Sequence, residues 1–102
     1  MKECCAKYLN DQFGGDEAVT AEIYGEYVAS VHEKLKEADT ALAANEWLQL
    51  DRVAHTIKGN ALATGDEEMA KTAIDLRSAS QLQDRERAAT LIARVQTLSE
   101  LL

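Results

Sequence analysis

Apolar positions recur at steps of three and four along most of the chain, a spacing that predicts helices rather than strands. After Gly14-Gly15-Asp16 they fall at Ala21, Tyr24, Val28, Val31, Leu35, Ala38 and Leu42. That alternation is the seam of a helix packed nearly antiparallel against its neighbours. Glu26, Lys34, Lys36 and Glu37 fall off the seam, where charge stays in water. Asp16 suits the N-cap because its carboxylate accepts an orphan backbone N–H. This helix is expected over about residues 16–44. Ahead of it, Cys5, Tyr8 and Leu9 share one face of a shorter helix, expected over about residues 2–13, that would cover one end of the fold.

Asn45 is the next expected N-cap, and Trp47, Leu50, Val53, Ala54, Ile57 and Ala61 form the apolar face of a helix over about residues 46–64. Gly65 ends it, as glycine does just past a helix C-terminus. Asp66 opens a helix over about residues 66–82, with Glu67 and Glu68 favourable at the positive end of its dipole. Met69, Ala73, Leu76 and Ser80 give its inner face, and Leu82-Gln83-Asp84 the next connection, with Asp84 as the cap of the helix that follows. Ala88, Leu91, Val95, Leu98 and Leu102 mark a last helix, over about residues 84–101. Short connections force antiparallel neighbours. The expectation is an all-α chain: an up-down antiparallel four-helix bundle with an additional short N-terminal helix, forming one domain over residues 1–102.

Composition narrows the function. The chain has no proline and 5 glycines, which argues against a turn-rich β sandwich or barrel. Aromatics are 5%, so the core is built from Ala, Leu, Val and Ile. The formal charge of −7, without a block of Lys and Arg, excludes the cationic face that nucleic acid demands. No apolar run approaches the roughly 20 residues of a membrane span. Met1 to Cys5 lack the long apolar stretch of a signal peptide, so the cytoplasm is the expected compartment. The start at Met1 with a full set of helices gives the expectation of a free-standing protein. One chain supplies all four core helices, so a monomer is expected. Cys4 and Cys5 are adjacent; a disulfide between them would be strained and would close no useful loop, so both are read as reduced thiols.

The chemistry concentrates on the third of the long segments, residues 46–64. At about 100° per residue from Leu50, the apolar face lies within roughly 60° of zero, while His55 falls near 140°. Asp51 and Lys58 lie at about 100° and 80°, on the edge, and Leu48, Gly59 and Leu62 at about 160°, 180° and 120°, beside the histidine. Leu48 and Leu62 are therefore apolar residues pointing outward. Gly59 sits mid-helix at a cost of about 1 kcal/mol relative to alanine, and leaves the helix surface bare next to the imidazole. A neutral imidazole is a good nucleophile near pH 7. Lys58, three residues on, is placed to stabilise negative charge gained there. His32 has no such surround and reads as a solvated residue of the second helix.

Ala54-His55-Thr56-Ile57-Lys58-Gly59-Asn60-Ala61, with Gly65 ten residues after the histidine, resembles the signature of histidine-containing phosphotransfer (HPt) domains. The resemblance implies a phosphorelay intermediate. His55 would accept a phosphoryl group from the aspartyl phosphate of a receiver domain and pass it to another receiver. Lys58 would hold the phosphoryl oxygens, and Leu48, Asp51, Arg52, Gly59 and Leu62 would meet the docked partner. The partners implied are response-regulator receiver domains, a hybrid histidine kinase, or both. The chain would be a phosphoryl carrier without ATP-dependent kinase activity, binding no cofactor, with the Mg²⁺ of the reaction on the receiver. Two positions depart from the pattern. Asn60 stands where a small residue such as serine is common, and Asp66 where alanine often follows the glycine. Asp66 is expected to add negative charge near one end of the histidine helix and so to bear on partner choice. Two other readings stand beside this one: a bundle that binds a receiver or kinase without phosphoryl flow, and one that promotes receiver dephosphorylation.

Overall fold

The computed structural model describes all 102 residues and is all-helical, with five helices and no strands. They are α1 (Glu3–Phe13), α2 (Glu17–Ala43), α3 (Trp47–Thr64), α4 (Glu67–Gln81) and α5 (Arg85–Ser99). The molecule measures 43 × 20 × 18 Å, and its long axis is close to the roughly 40 Å that 27 residues of α-helix span. Around that axis α2 packs on α3, α3 on α4, α4 on α5 and α5 back on α2, while α1 lies across α2 and α3. The α3–α4 pairing is the most extensive. Ala54 and Ala61 on α3, and Ala70 and Ala73 on α4, are all buried, and such small side chains let helix axes approach closely.

The three connections within the bundle repeat one device. Gly65 at φ 78° ends α3, with Asp66 N–H donating to Ala61 O and Gly65 N–H to Leu62 O, the paired bonds of a Schellman motif. Asn45 (φ 57°) and Gln83 (φ 53°) do the same after α2 and α4. Asn45 is thus not the N-cap of α3, contrary to expectation. It is spent on closing α2, and its side-chain oxygen accepts a bond from Arg85, which also donates to Leu42 O at 2.6 Å. Glu46 stands at the N-cap instead, without a side-chain cap bond. Asp16, Asp66 and Asp84 do cap their helices, accepting from Val19, Met69 and Arg87 N–H. Trp47 packs on the rim of the core under the Arg85 guanidinium, 5.9 Å from the ring centre.

The buried stripe of α2 keeps Tyr24, Val31, Leu35 and Ala38 of the expected seam and replaces its other three positions by the residue before each: Thr20, Tyr27 and Ala41 are inside, Ala21 is exposed, and Val28 and Leu42 are half-buried. The exchange of Tyr27 for Val28 has its reason at one end of the molecule. The Asp66 carboxylate is fully buried; Tyr27 O–H donates to its Oδ2 at 2.7 Å, while Lys2 Nζ and Met69 N–H donate to Oδ1 at 2.9 and 3.3 Å. Tyr27 is drawn inward by that bond in place of Val28. The expectation that Asp66 would present charge to a partner is therefore corrected, because a carboxylate removed from water must be paired internally. Lys2 N–H also donates to the Tyr24 hydroxyl, which donates to Leu102 O. α1 is thus tied to α2, α4 and the C-terminus together. Tyr8, whose ring is partly exposed, lies over Gly65 so closely that a Cβ there would stand 2.3 Å from its own.

Replacement of Gly65 by alanine meets both a left-handed φ and the Tyr8 side chain, whereas Gly14, also left-handed at φ 61°, has open space around it. Gly65→Ala is expected to cost about 1–3 kcal/mol more than Gly14→Ala in urea unfolding; equal costs would show that α1 yields freely. The same end of the molecule sets an alkaline limit. Burial, helped by the charges of Cys4 and Asp66, raises the Cys5 thiol from 9.0 to about 12. Burial and the bond to Asp66 raise the Tyr27 phenol. Lys2 is pushed down by burial but raised on balance by Asp66. Each group holds its proton in the fold past the pH at which the unfolded chain releases it. Their contribution is therefore complete below about pH 9 and drains as pH rises toward 12. The urea midpoint should fall between pH 8 and pH 10.5, and fall less in Tyr27→Phe.

Candidate functional site

Leu50, Val53, Ala54, Ile57 and Ala61 turn one face of α3 into the core. The 3.6-residue period then leaves His55 exposed on the opposite side. No side chain of the bundle bonds to its ring; the neighbouring Thr56 hydroxyl donates along its own helix to Arg52 O at 3.2 Å. Gly59, one turn on, is exposed, and a Cβ built there would meet nothing within 4 Å. Lys58 is half-buried at the edge of the same stripe. The helix surface beside the imidazole is therefore open to solvent, with the bare backbone of Gly59 one turn on and Lys58 three residues on.

Leu48 (65% exposed) and Leu62 (53% exposed) bracket His55 along α3. Arg52 is exposed between them. Asp51 is different. Its Oδ1 accepts from Arg77 Nε at 3.0 Å and from Gln81 Nε2 at 3.3 Å, so α4 engages it within the chain. These contacts also orient α4. Ile74, three residues before Arg77, shares the flank that faces the outer edge of α3 and is 50% exposed. Ile74, Arg77 and Gln81 were not among the expected site residues. Their spacing of three and four marks them as one stripe, but spacing alone does not name the helix that a stripe faces.

The other flank of α3 faces α2. There Asn60 Nδ2 donates to Ser30 Oγ at 2.8 Å, beside a groove of about 270 Å³ lined by Ile23, Glu26, Tyr27, Ala63 and Thr64. The departure at Asn60 thus serves to bind α3 to α2. His32 is exposed on α2, and no group of three or more His, Cys, Asp and Glu side chains converges anywhere in the chain. Cys4 and Cys5 are both free thiols, with their sulfurs 4.0 Å apart. No helix is long and apolar enough to cross a membrane.

What this arrangement offers is an accessible imidazole nucleophile, a flanking cation, room for a large partner and an apolar rim. A comparison with protein-family models finds a match to the family described as Hpt domain, over residues 22–102. Comparisons with curated proteins and with solved structures find no match. Domains of this family are phosphocarriers of phosphorelays rather than kinases, and they interact with receiver domains and kinases. The matched span takes in α3, α4, α5 and most of α2, so the chain belongs to the Hpt domain family.

Proposed function

We propose that this chain accepts a phosphoryl group on His55 from the aspartyl phosphate of a receiver domain and delivers it to the aspartate of a second receiver. The observation that carries the reading is the exposed imidazole beside Gly59, whose missing side chain leaves the helix surface open. The lone pair of one ring nitrogen forms the N–P bond. The acyl P–O bond breaks, and the aspartate leaves as carboxylate with the bonding electrons. The imidazolium so formed releases the proton of its other nitrogen to water. Delivery runs the same bond changes in reverse, with a carboxylate as nucleophile and neutral imidazole as leaving group. The two bonds are of comparable lability, so a carrier of this kind needs no nucleotide of its own.

Lys58 screens the negative charge gathered on the phosphoryl oxygens. Leu48, Gly59 and Leu62 form the apolar and open part of the docking face. Arg52 supplies an exposed cation at its rim, and the outer edge of Asp51 completes it. We place the Mg²⁺ of the reaction on the receiver. The fold reading that accompanies this is an up-down antiparallel four-helix bundle acting as one domain with α1, supported by the short connections and the ring of helix contacts.

Incubation with a receiver carrying ³²P-aspartyl phosphate is expected to label the wild type and leave His55→Gln unlabelled. Binding without label would favour the docking-only reading; free phosphate without a labelled intermediate would favour dephosphorylation. Gly59→Arg should retain the helical circular dichroism and thermal midpoint of the wild type. Its transfer rate should drop by about tenfold or more, since an arginine there occupies the approach to the ring. An unchanged rate in that variant would refute docking over Gly59.

A further inference from the structure

Arg77 makes a contact that stability alone explains poorly. It meets Asp51 through Nε only, so both terminal nitrogens, with their four N–H bonds, are left without a partner in the chain. A guanidinium placed for ion-pair strength alone would turn its fork onto the carboxylate and bond it twice. The Arg77–Asp51 pair is partly sheltered, with side chains 30% and 19% exposed. Gln81 donates to the same Asp51 oxygen, so two side chains of α4 hold this carboxylate. By contrast Arg94 and Glu68, which pair across α4 and α5, are both more than half exposed and form an ordinary surface pair.

The location gives the unused donors a purpose. Asp51 precedes His55 by one helical turn, which sets their Cβ atoms about 5–6 Å apart on one stripe. A phosphoryl group on His55 brings roughly 1.5 to 2 negative charges to that neighbourhood. Next to a bare Asp51 carboxylate it would meet like charge, offset only by Arg52 and Lys58 of the same helix. Arg77 changes both facts: it neutralises Asp51 and offers a free fork of N–H donors that matches phosphoryl oxygens.

Resting on the phosphotransfer reading, we infer that Arg77 contacts the phosphoryl group of phosphorylated His55 as a further cation, supplied by α4, with Asp51 as the residue that positions it. Gln81 shares the hold on Asp51. The contact lengthens the life of the N–P bond by spreading the charge that water-driven loss of the phosphoryl would otherwise relieve.

The test loads the full-length chain with phosphoramidate, whose P–N bond breaks with loss of ammonia as the imidazole N–P bond forms, so no receiver is needed. Loading is followed by ³¹P NMR, with His55→Gln as the blank. Arg77→Gln is expected to shorten the phosphohistidine half-life by about threefold or more and to raise the pH at which the phosphoryl resonance titrates. Arg77→Lys should fall between, since a point charge replaces the fork. Arg94→Gln, which breaks the remote pair, should match the wild type in both readouts. A half-life and titration in Arg77→Gln equal to the wild type, with His55 fully loaded, would overturn the inference and leave the carrier reading intact. Wild type that cannot be loaded at His55 would instead overturn the carrier reading. Should Arg77→Gln fail to fold, Arg77→Lys decides alone: an intermediate half-life supports the contact, and a wild-type half-life overturns it.

Discussion

The arrangement turns on the burial of one face of α3. Leu50, Val53, Ala54, Ile57 and Ala61 are within 2% of complete burial, held between α2 on one flank and α4 on the other. A helix has one rotation that satisfies such a stripe. Turning it by a single residue, about 100°, would bring polar side chains inward and expose the leucine and isoleucine. The exposure of His55 follows from that packing and needs no separate device. The same holds for Gly59, Leu48 and Leu62, which stand outside because their neighbours are inside. Chemistry and stability are thus written on opposite faces of one helix.

A second constraint operates at the end of the molecule where α1 lies. Asp66 is an ionisable group without exposure, met by Lys2, Tyr27 and the first turn of α4. Such an arrangement adds less stability than its short distances suggest, since both charges were better solvated in water. What it does supply is register. Tyr27 is pulled inward, α1 is pinned through Lys2, and Tyr24 carries the connection on to the C-terminus. α1 lies outside the matched family span, and the contacts that hold it involve Cys5, Tyr8 and Leu9 rather than anything near His55. The segment can therefore be secured tightly without stiffening the surface where a partner must land.

Much of this was legible in the sequence because helical periodicity is a local property. The all-helical class, the caps at Asp16, Asp66 and Asp84, the stop at Gly65 and the outward stripe of α3 can all be read within a few residues of where they act. What escaped depends on contacts between distant segments. Asn45 looks like an N-cap, since its type suits both roles; only the paired bonds to Ala41 and Leu42 show that it closes the preceding helix. Tyr27 is interior where Val28 had the better hydrophobic claim, because its hydroxyl bonds to Asp66, 39 residues away, and toward the other end of α2 Ala41 is interior while Leu42 is half-buried. Ile92 is buried where Leu91 was expected. Asp66 itself reads as surface charge until Lys2 and Tyr27 are brought to it. Arg77 and Ile74 could be assigned to an outward stripe of α4, yet the flank of α3 that they face depends on the handedness of packing.

Charge gives the site a character that the fold alone does not. The chain carries a formal −7, and a receiver bearing an aspartyl phosphate presents an anionic surface, so approach at long range is unfavourable. At physiological salt that repulsion fades beyond about 8 Å, and what remains is local. Arg52, Lys58 and Arg77 gather on and beside α3, within a patch whose apolar part is limited to Leu48, Leu62 and Ile74. Attraction of short range set against repulsion of long range favours encounters that are specific in geometry but brief. A carrier has to leave its first partner before it can meet the second, so a larger apolar patch or a basic surface would work against it. Under the proposed role of His55, the small rim around it and the acidic remainder of the molecule are two parts of one solution: enough contact to align a nitrogen with phosphorus, and too little to hold the donor after the bond has moved.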